Sequence, residues 1–422
     1  MGKWPWLVVV VVLLIVGAVL ARGFRTEAGG SPGVRELVYA GLGDPQEVDI
    51  IRGVLRDFER ENPQYRVRFI HIPGNPYWTK LKTMFAGGVA PDVLYTGGGY
   101  VQELAAGGQL MEIGEASRRF EPRLKWDEFL PEGMDAFRYG DGLYGIPRDV
   151  APVAIFYNKE LFDAAGIAYP KPGWTREEFL EVARKLTRPE VRQYGIHVRS
   201  WYAEYLPAIW ANGGRVLDER KTRVVIDSPE AVAGLQFFQD LLLKYKVAPP
   251  AAEQEGTFPL FNAGRAGMSF GGYWSVAERR QLKFRWGVVP LPREKYGTAV
   301  LLGAGYSIAK STKDPQGAWR LAEYMTSARV QRDVALMGLA IPARLNALTA
   351  DDLAKDPILA TFVDVLKDCR PPPFVPRWRE VEDRLNRHIQ RLMLDIDTPE
   401  QTAAGIKQDV ETIMGGKERG GR

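Results

Sequence analysis

Leu37-Val38-Tyr39-Ala40-Gly41-Leu42-Gly43-Asp44 is a short apolar run that breaks into glycines and an acid, and the period of the sequence changes after it. Val48, Ile51, Leu55 and Phe58 then recur at three- and four-residue spacing until Asn62-Pro63, so a strand is followed by an amphipathic helix. Val67 and Phe69 alternate with Arg66 and Arg68, as in a strand. Trp78, Leu81 and Phe85 predict a second helix ended by Gly87-Gly88. Asp92–Tyr95 reads as a third strand, and Val101–Ala106 as a third helix closed by Gly107-Gly108. This β-α-β-α-β-α order predicts a parallel sheet covered by helices on both faces.

A second α/β region follows. Thr175 and Glu178 form a capping box ahead of a stripe of Phe179, Val182 and Leu186. Ser228-Pro229, Asp314-Pro315 and Thr398-Pro399 with Gln401 mark three further helix starts. Trp378, Val381, Leu385, Ile389 and Leu392 trace one long helical face, and Pro371-Pro372-Pro373 before it is a stiff crossover. No repeat of 20–50 residues is visible, which excludes a solenoid.

The 422 residues allow two or three domains, and a content of 45% hydrophobic and 26% charged residues excludes disorder and a polytopic membrane protein. A net charge of +4, spread along the chain, lacks the dense basic run of a nucleic-acid arm. Cys369 is the sole cysteine and the three histidines stand far apart, so neither an internal disulfide nor a histidine- or cysteine-based metal centre is expected. Lys3, the apolar run Leu7–Val16 and Val19-Leu20-Ala21 read as an export signal over residues 1–21. The same eighteen residues from Trp4 to Ala21 just suffice as an uncleaved membrane anchor. No cysteine near residue 20 supports a lipid anchor. Both readings place the rest of the chain outside the cytoplasm, behind a flexible tether at 22–33.

In an open parallel sheet, ligands sit at the carboxyl ends of strands. Here those ends carry Asp44, Asn75, Tyr77, Trp78 and Tyr100. Aromatic faces beside a few carboxylates and amides suit a flat polar molecule such as a sugar; helix-start packing is the plainer role for Tyr77 and Trp78. Gly267-Met268-Ser269-Phe270-Gly271 matches a serine-hydrolase elbow with His388 downstream, but no buried strand directly precedes it. Neither Gly415-Gly416-Lys417-Glu418 nor Gly303-Ala304-Gly305 has the spacing of a phosphate or dinucleotide loop. No enzyme motif stands, and no cofactor is expected.

Phe58-Glu59-Arg60-Glu61-Asn62-Pro63 before a strand resembles the first helix of family 1 extracellular solute-binding proteins, the maltose-binding-like receptors of ABC importers. Further resemblances follow in the family's order: Lys80–Gly88 leading to Pro91-Asp92-Val93, Tyr144-Gly145-Ile146-Pro147 before Phe156–Phe162, and Ala211-Asn212-Gly213-Gly214. Phe261–Met268, Val289-Pro290-Leu291-Pro292 and Ile341-Pro342-Ala343-Arg344 complete the set, which covers roughly 35–415. The serine motif falls inside the Phe261–Met268 signature and its flank, which accounts for it without catalysis.

The resemblance implies an α/β, two-lobed periplasmic-binding-protein-like fold with the ligand cleft between the lobes. Hinge segments would cross near Arg148–Ala154, Pro292–Leu302 and Lys367–Pro373. Lobe one is then 34–148 plus 300–366, lobe two 149–299 plus 367–415, and 416–422 a disordered tail. It further implies a monomeric receptor, not an enzyme, that delivers a carbohydrate to membrane permease subunits. The alternatives are a receptor for glycerol-3-phosphate or another polyol ester, and a secreted carbohydrate-active enzyme. Carried over motif by motif, the ligand residues are Asp44, Tyr77, Thr96 and Tyr100 from lobe one, and Asp149 at the hinge. Tyr202 and Glu204 enter from the segment before Asn-Gly-Gly, Trp274 as the stacking aromatic after Gly271-Gly272-Tyr273, and Gly303 and Gly305 through their backbone amides. Arg344 and Trp378 complete the set, each with a structural alternative as a strand-end cap or as the start of an apolar stripe. Where many members carry an acid, this chain has Gly97-Gly98-Gly99.

Overall fold

The computed structural model describes residues 33–74, 76–251, 259–293, 296 and 299–415. The N-terminal signal or anchor, nearly all of the tether, Asn75 and the C-terminal tail lie outside them. The predicted alternation appears as β1 (Arg35–Gly41), α1 (Pro45–Glu61), β2 (Tyr65–His71), α2 (Pro76–Ala86), β3 (Val93–Gly97) and α3 (Gly98–Ala106). Helix α1 buries the stripe Val48, Ile51, Leu55 and Phe58, and Asp44 caps it by accepting from the Glu47 amide at 2.9 Å. Strand β4 (Ile146–Asn158) follows, then α4 (Arg176–Leu186), with its Thr175–Glu178 capping box formed in both directions. Next come β5 (Tyr194–His197), α5 (Tyr202–Ala211), α6 (Pro229–Leu243), β6 (Ala266–Gly272), β7 (Trp286–Val289), β8 (Ala299–Ile308) and β9 (Ile341–Pro342). The chain closes with α7 (Pro357–Val365), β10 (Cys369–Arg370), α8 (Trp378–Met393) and α9 (Pro399–Gly415).

The ten strands form one sheet in the order β2-β1-β3-β8-β4-β6-β5, with β7 and β9 on β4 and β10 on β8. Pairing of β1 with β2 and with β3 is parallel, as the alternation requires. The sheet as a whole is mixed, so the parallel arrangement read for the first three strands does not extend across it. Strand β8 returns from far along the chain and lies antiparallel to both β3 and β4. At 13 residues, β4 spans ~43 Å, long enough to serve two lobes. Its first half, Ile146–Pro152, pairs with β8, and its second half, Val153–Tyr157, pairs with β6.

Each lobe has its own core. On one side Leu94, Val101, Leu104 and Phe137 pack around Tyr77. On the other, Val153, Ile155, Phe179, Leu206, Leu235 and Leu385 form the largest cluster. A third core joins the two sides, for Phe362 of α7 meets Phe156 of β4 at 5.7 Å and Tyr273 at 5.5 Å. The α8 stripe is buried at every predicted position, Trp378, Val381, Leu385, Ile389 and Leu392. The serine motif forms no elbow. Ser269 lies mid-strand in β6 and is buried, and His388 bonds Asp409 on α9.

Candidate functional site

A cleft of about 350 Å³ opens where the two lobes face each other, a size within the range of small-molecule sites. Strand β3 ends at its floor and delivers Gly97-Gly98-Gly99 and Tyr100 at the start of α3. The ring of Tyr100 stacks on Trp78 of α2 at 3.3 Å and 7° between planes, giving lobe one a flat double-ring wall. Opposite it, Trp274 follows β6. A Cβ on Gly272 would come within 1.7 Å of the Trp274 ring, so only glycine lets that ring fold back over its own strand. Trp201 holds Trp274 edge-on at 6.2 Å. Tyr202 of α5 meets Trp378 of α8 edge-on at 5.9 Å, and both line the cleft. Trp378 is buried, and its indole N–H has no hydrogen-bond partner among the described residues.

The lobes already touch across this cleft. Phe374 and Trp378 sit so close to α3 that a Cβ on Gly98 or Gly99 would lie 2.4 Å from one ring or 2.3 Å from the other. Arg379 Nη1 donates to the Tyr100 hydroxyl at 3.2 Å. Gly98-Gly99, in the stretch where many members of the resembled family carry an acid, is therefore a seat for Phe374 and Trp378.

The floor is polar and charged. Arg148 Nε donates to Asp149 at 2.6 Å, and its Nη1 to Glu47 at 2.8 Å, with the guanidinium 5.1 Å over the Tyr95 ring. The other Asp149 oxygen accepts from the Ala304 amide at 2.9 Å, where the β4–β8 register slips by a bulge. Burial raises the Glu47 carboxyl, while Arg148 pulls it back down. Glu382, one turn beyond Trp378, lines the lobe-two side, and burial pushes its carboxyl up to about 7.

Six of the twelve sequence-derived residues meet in the cleft: Tyr100, Asp149, Tyr202, Trp274, Gly303 and Trp378. The other six lie behind its walls. Asp44 is spent on capping α1. Tyr77 is fully buried and donates to the carbonyls of Ala40 and Tyr95, leaving its neighbour Trp78 to face the cleft. Thr96 is locked to Ser307 at 2.8 Å between β3 and β8. Glu204 takes the Arg199 backbone amide at 2.6 Å and its Nε at 2.7 Å, beneath α5. Gly305 packs under Phe137 and the Ile146 carbonyl. Arg344 donates to the carbonyl of Thr326, the residue that ends the helix Pro315–Met325, and pairs with Glu128, so it holds a helix end rather than the strand end of its structural alternative.

Sequence reasoning missed Glu47, Tyr95, Arg148, Phe374 and Glu382. For Glu382 a signal existed: it lies four residues after Trp378 and so shares its helical face. Glu47 and Arg148 are 101 residues apart and meet only through the fold. Among the described residues no group of acids, histidines and cysteine could hold a metal ion.

Two α/β lobes joined by continuous strands, with an aromatic cleft between them, define a two-lobed binding protein of the periplasmic type. The sequence profile of bacterial extracellular solute-binding proteins matches residues 44–332, and the chain belongs to that family. Among relatives, the maltotriose-binding protein of Pyrococcus abyssi is 24% identical over 365 residues, covering 83% of this chain and 76% of that one. An ABC substrate-binding protein from Listeria monocytogenes in complex with cycloalternan superposes with a TM-score of 0.84 at 25% identity, covering 90% of this chain and 99% of the other. A Thermotoga lettingae solute-binding protein bound to α-D-tagatose gives 0.82 at 26% identity, covering 90% and 100%. These relatives are binding proteins rather than enzymes.

Proposed function

We propose that this chain captures a sugar or short oligosaccharide between its lobes and delivers it to the permease of an ABC importer without altering it. The observation that carries this reading is the convergence of aromatic faces from both lobes, Trp78 and Tyr100 against Tyr202, Trp274 and Trp378, on one cleft with a polar floor. Stacked rings take the C–H face of a pyranose, while carboxylates, the Gly303 backbone and the unpaired Trp378 N–H take hydroxyls. The sugars in the complexes of its relatives support the same class. A phosphate ester fits poorly. Arg148 is the only cation lining the cleft among the described residues, and both Glu47 and Asp149 already occupy it.

In this reading lobe one is 34–148 plus 300–366 and lobe two 149–299 plus 367–415. The crossings run through β4, β8 and the short β10, and ligand shifts the lobes toward the closed form by bridging them. Exported by residues 1–21 or held by them, the receptor works as a monomer at the outer face of the membrane. Mass spectrometry of ligand retained through purification, followed by calorimetric titration with that sugar, tests the assignment. Saturable binding without turnover is expected, and hydrolysis of any bound sugar overturns it.

A further inference from the structure

The cleft carries an acid that nothing in the protein neutralises well. Glu47 and Asp149 share the guanidinium of Arg148, but Glu382 has no such partner. Its side chain is 15% exposed, and the nearest cation, Arg379, stands 4.0 Å away. Arg379 is itself divided between the Tyr100 hydroxyl at 3.2 Å and Asp383 at 3.4 Å. No hydrogen-bond donor reaches the Glu382 carboxylate among the described residues. Facing it are Arg379 and Asp383 from its own helix, Tyr202 and Tyr205 from α5, and Tyr100 from α3. Burial raises the hydroxyls of all three tyrosines, so they are neutral and supply no charge. The lining of the cleft thus holds three carboxylates, Glu47, Asp149 and Glu382, against one guanidinium.

Aromatic faces favour a cation placed over them, and a carboxylate in a partly dry cavity favours a charge-assisted donor over a neutral one. A hydroxyl would satisfy the geometry of Glu382 but leave its charge uncompensated. We propose that the ligand is an amine-bearing sugar whose ammonium pairs with Glu382 while its ring stacks in the aromatic cleft. This rests on the sugar-receptor reading above and adds the charge of the ligand to it.

The test titrates the full-length chain with matched pairs: glucosamine against glucose, and the fully de-acetylated chitosan dimer against cellobiose. The amine member of a pair should bind at least about tenfold more tightly than its neutral parent. That preference should collapse to within about twofold in Glu382→Gln and survive in part in Glu382→Asp, which keeps the charge. Calorimetry at pH 6.5 in two buffers of unlike ionisation enthalpy should show proton release with the amine and none with the neutral sugar. Neutral sugars binding as tightly as their amine partners overturn this inference and leave the receptor reading standing. Failure of every member of the panel to bind overturns this inference, while the receptor reading is decided separately by the ligand retained through purification.

Discussion

Replacing Gly99 by alanine separates the proposed closed form of this protein from its stability. Gly99 lies in the first turn of α3, on lobe one, and a Cβ there would meet Trp378 Cδ1 of lobe two at 2.3 Å and Cγ at 2.9 Å. Trp378 has no room to yield. It is 2% exposed, with Phe374 edge-on at 5.3 Å and Tyr202 edge-on at 5.9 Å. Overpacking of this kind costs about 1–3 kcal/mol. If the lobes hinge as proposed, the cheaper relief is for them to part, and the whole cost falls on the closed state. Ligand must then supply that free energy, and affinity should drop roughly 5- to 150-fold, at about 1.4 kcal/mol per tenfold. Within lobe one the substitution is benign, because alanine is favoured over glycine in a helix by up to ~1 kcal/mol. Calorimetric titration with the best-binding sugar, a thermal melt without ligand, and small-angle scattering for lobe separation read the three effects. Weakened binding, an unchanged or raised melting temperature and a more extended particle are expected. Affinity within twofold of the parent would refute the reasoning, because Trp378 would then have another place to go.

Trp274→Ala should weaken sugar binding about tenfold or more, since stacking a sugar ring contributes on the order of 1–2 kcal/mol; titration reads it, and an unchanged melt confirms that only the cleft was altered. Asp149→Ala should cost ~3–5 kcal/mol of stability in denaturant unfolding, because it strips one partner from buried Arg148 and leaves the Ala304 amide unmet at the bulge. Glu382, with its carboxyl raised to about 7 from an ordinary value near 4.5, gives a pH signature. The folded, empty protein binds that proton more tightly than the unfolded chain. The associated stability is full below about pH 4.5 and is lost as pH rises through about 7. Glu382→Gln, which imitates the protonated acid, should match the parent near pH 4.5 and exceed it by about 2–3 kcal/mol at pH 8, measured by denaturant titration without ligand.

Much of the element order in both lobes was readable in the chain, because these elements are set by local pattern. The stripe of α1, the alternation of β2, the Thr175–Glu178 capping box and the buried face of α8 each depend on neighbours within a turn or two of sequence. The ordered motifs then fixed the family, and with it the two-lobed fold. Six of the twelve residues they named line the cleft. What they could not decide was direction. Tyr77 and Trp78 are adjacent at a helix start, and only the packing of α2 on β1 and β3 turns one hydroxyl into the core and the other ring toward the cleft.

The same limit applies to Asp44, Thr96, Glu204, Gly305 and Arg344, each of which is engaged by a partner within the folded chain. It also explains the floor of the cleft, since Glu47, Arg148 and the amide of Ala304 are brought to Asp149 from three separate stretches of chain. The sequence by itself determined the elements, their order and the family, because helix and strand periods and short motifs are local. Which side chains face the cleft was decided only by the tertiary structure. Facing depends on how β8 inserts antiparallel between β3 and β4 and brings two distant lobes within contact of each other.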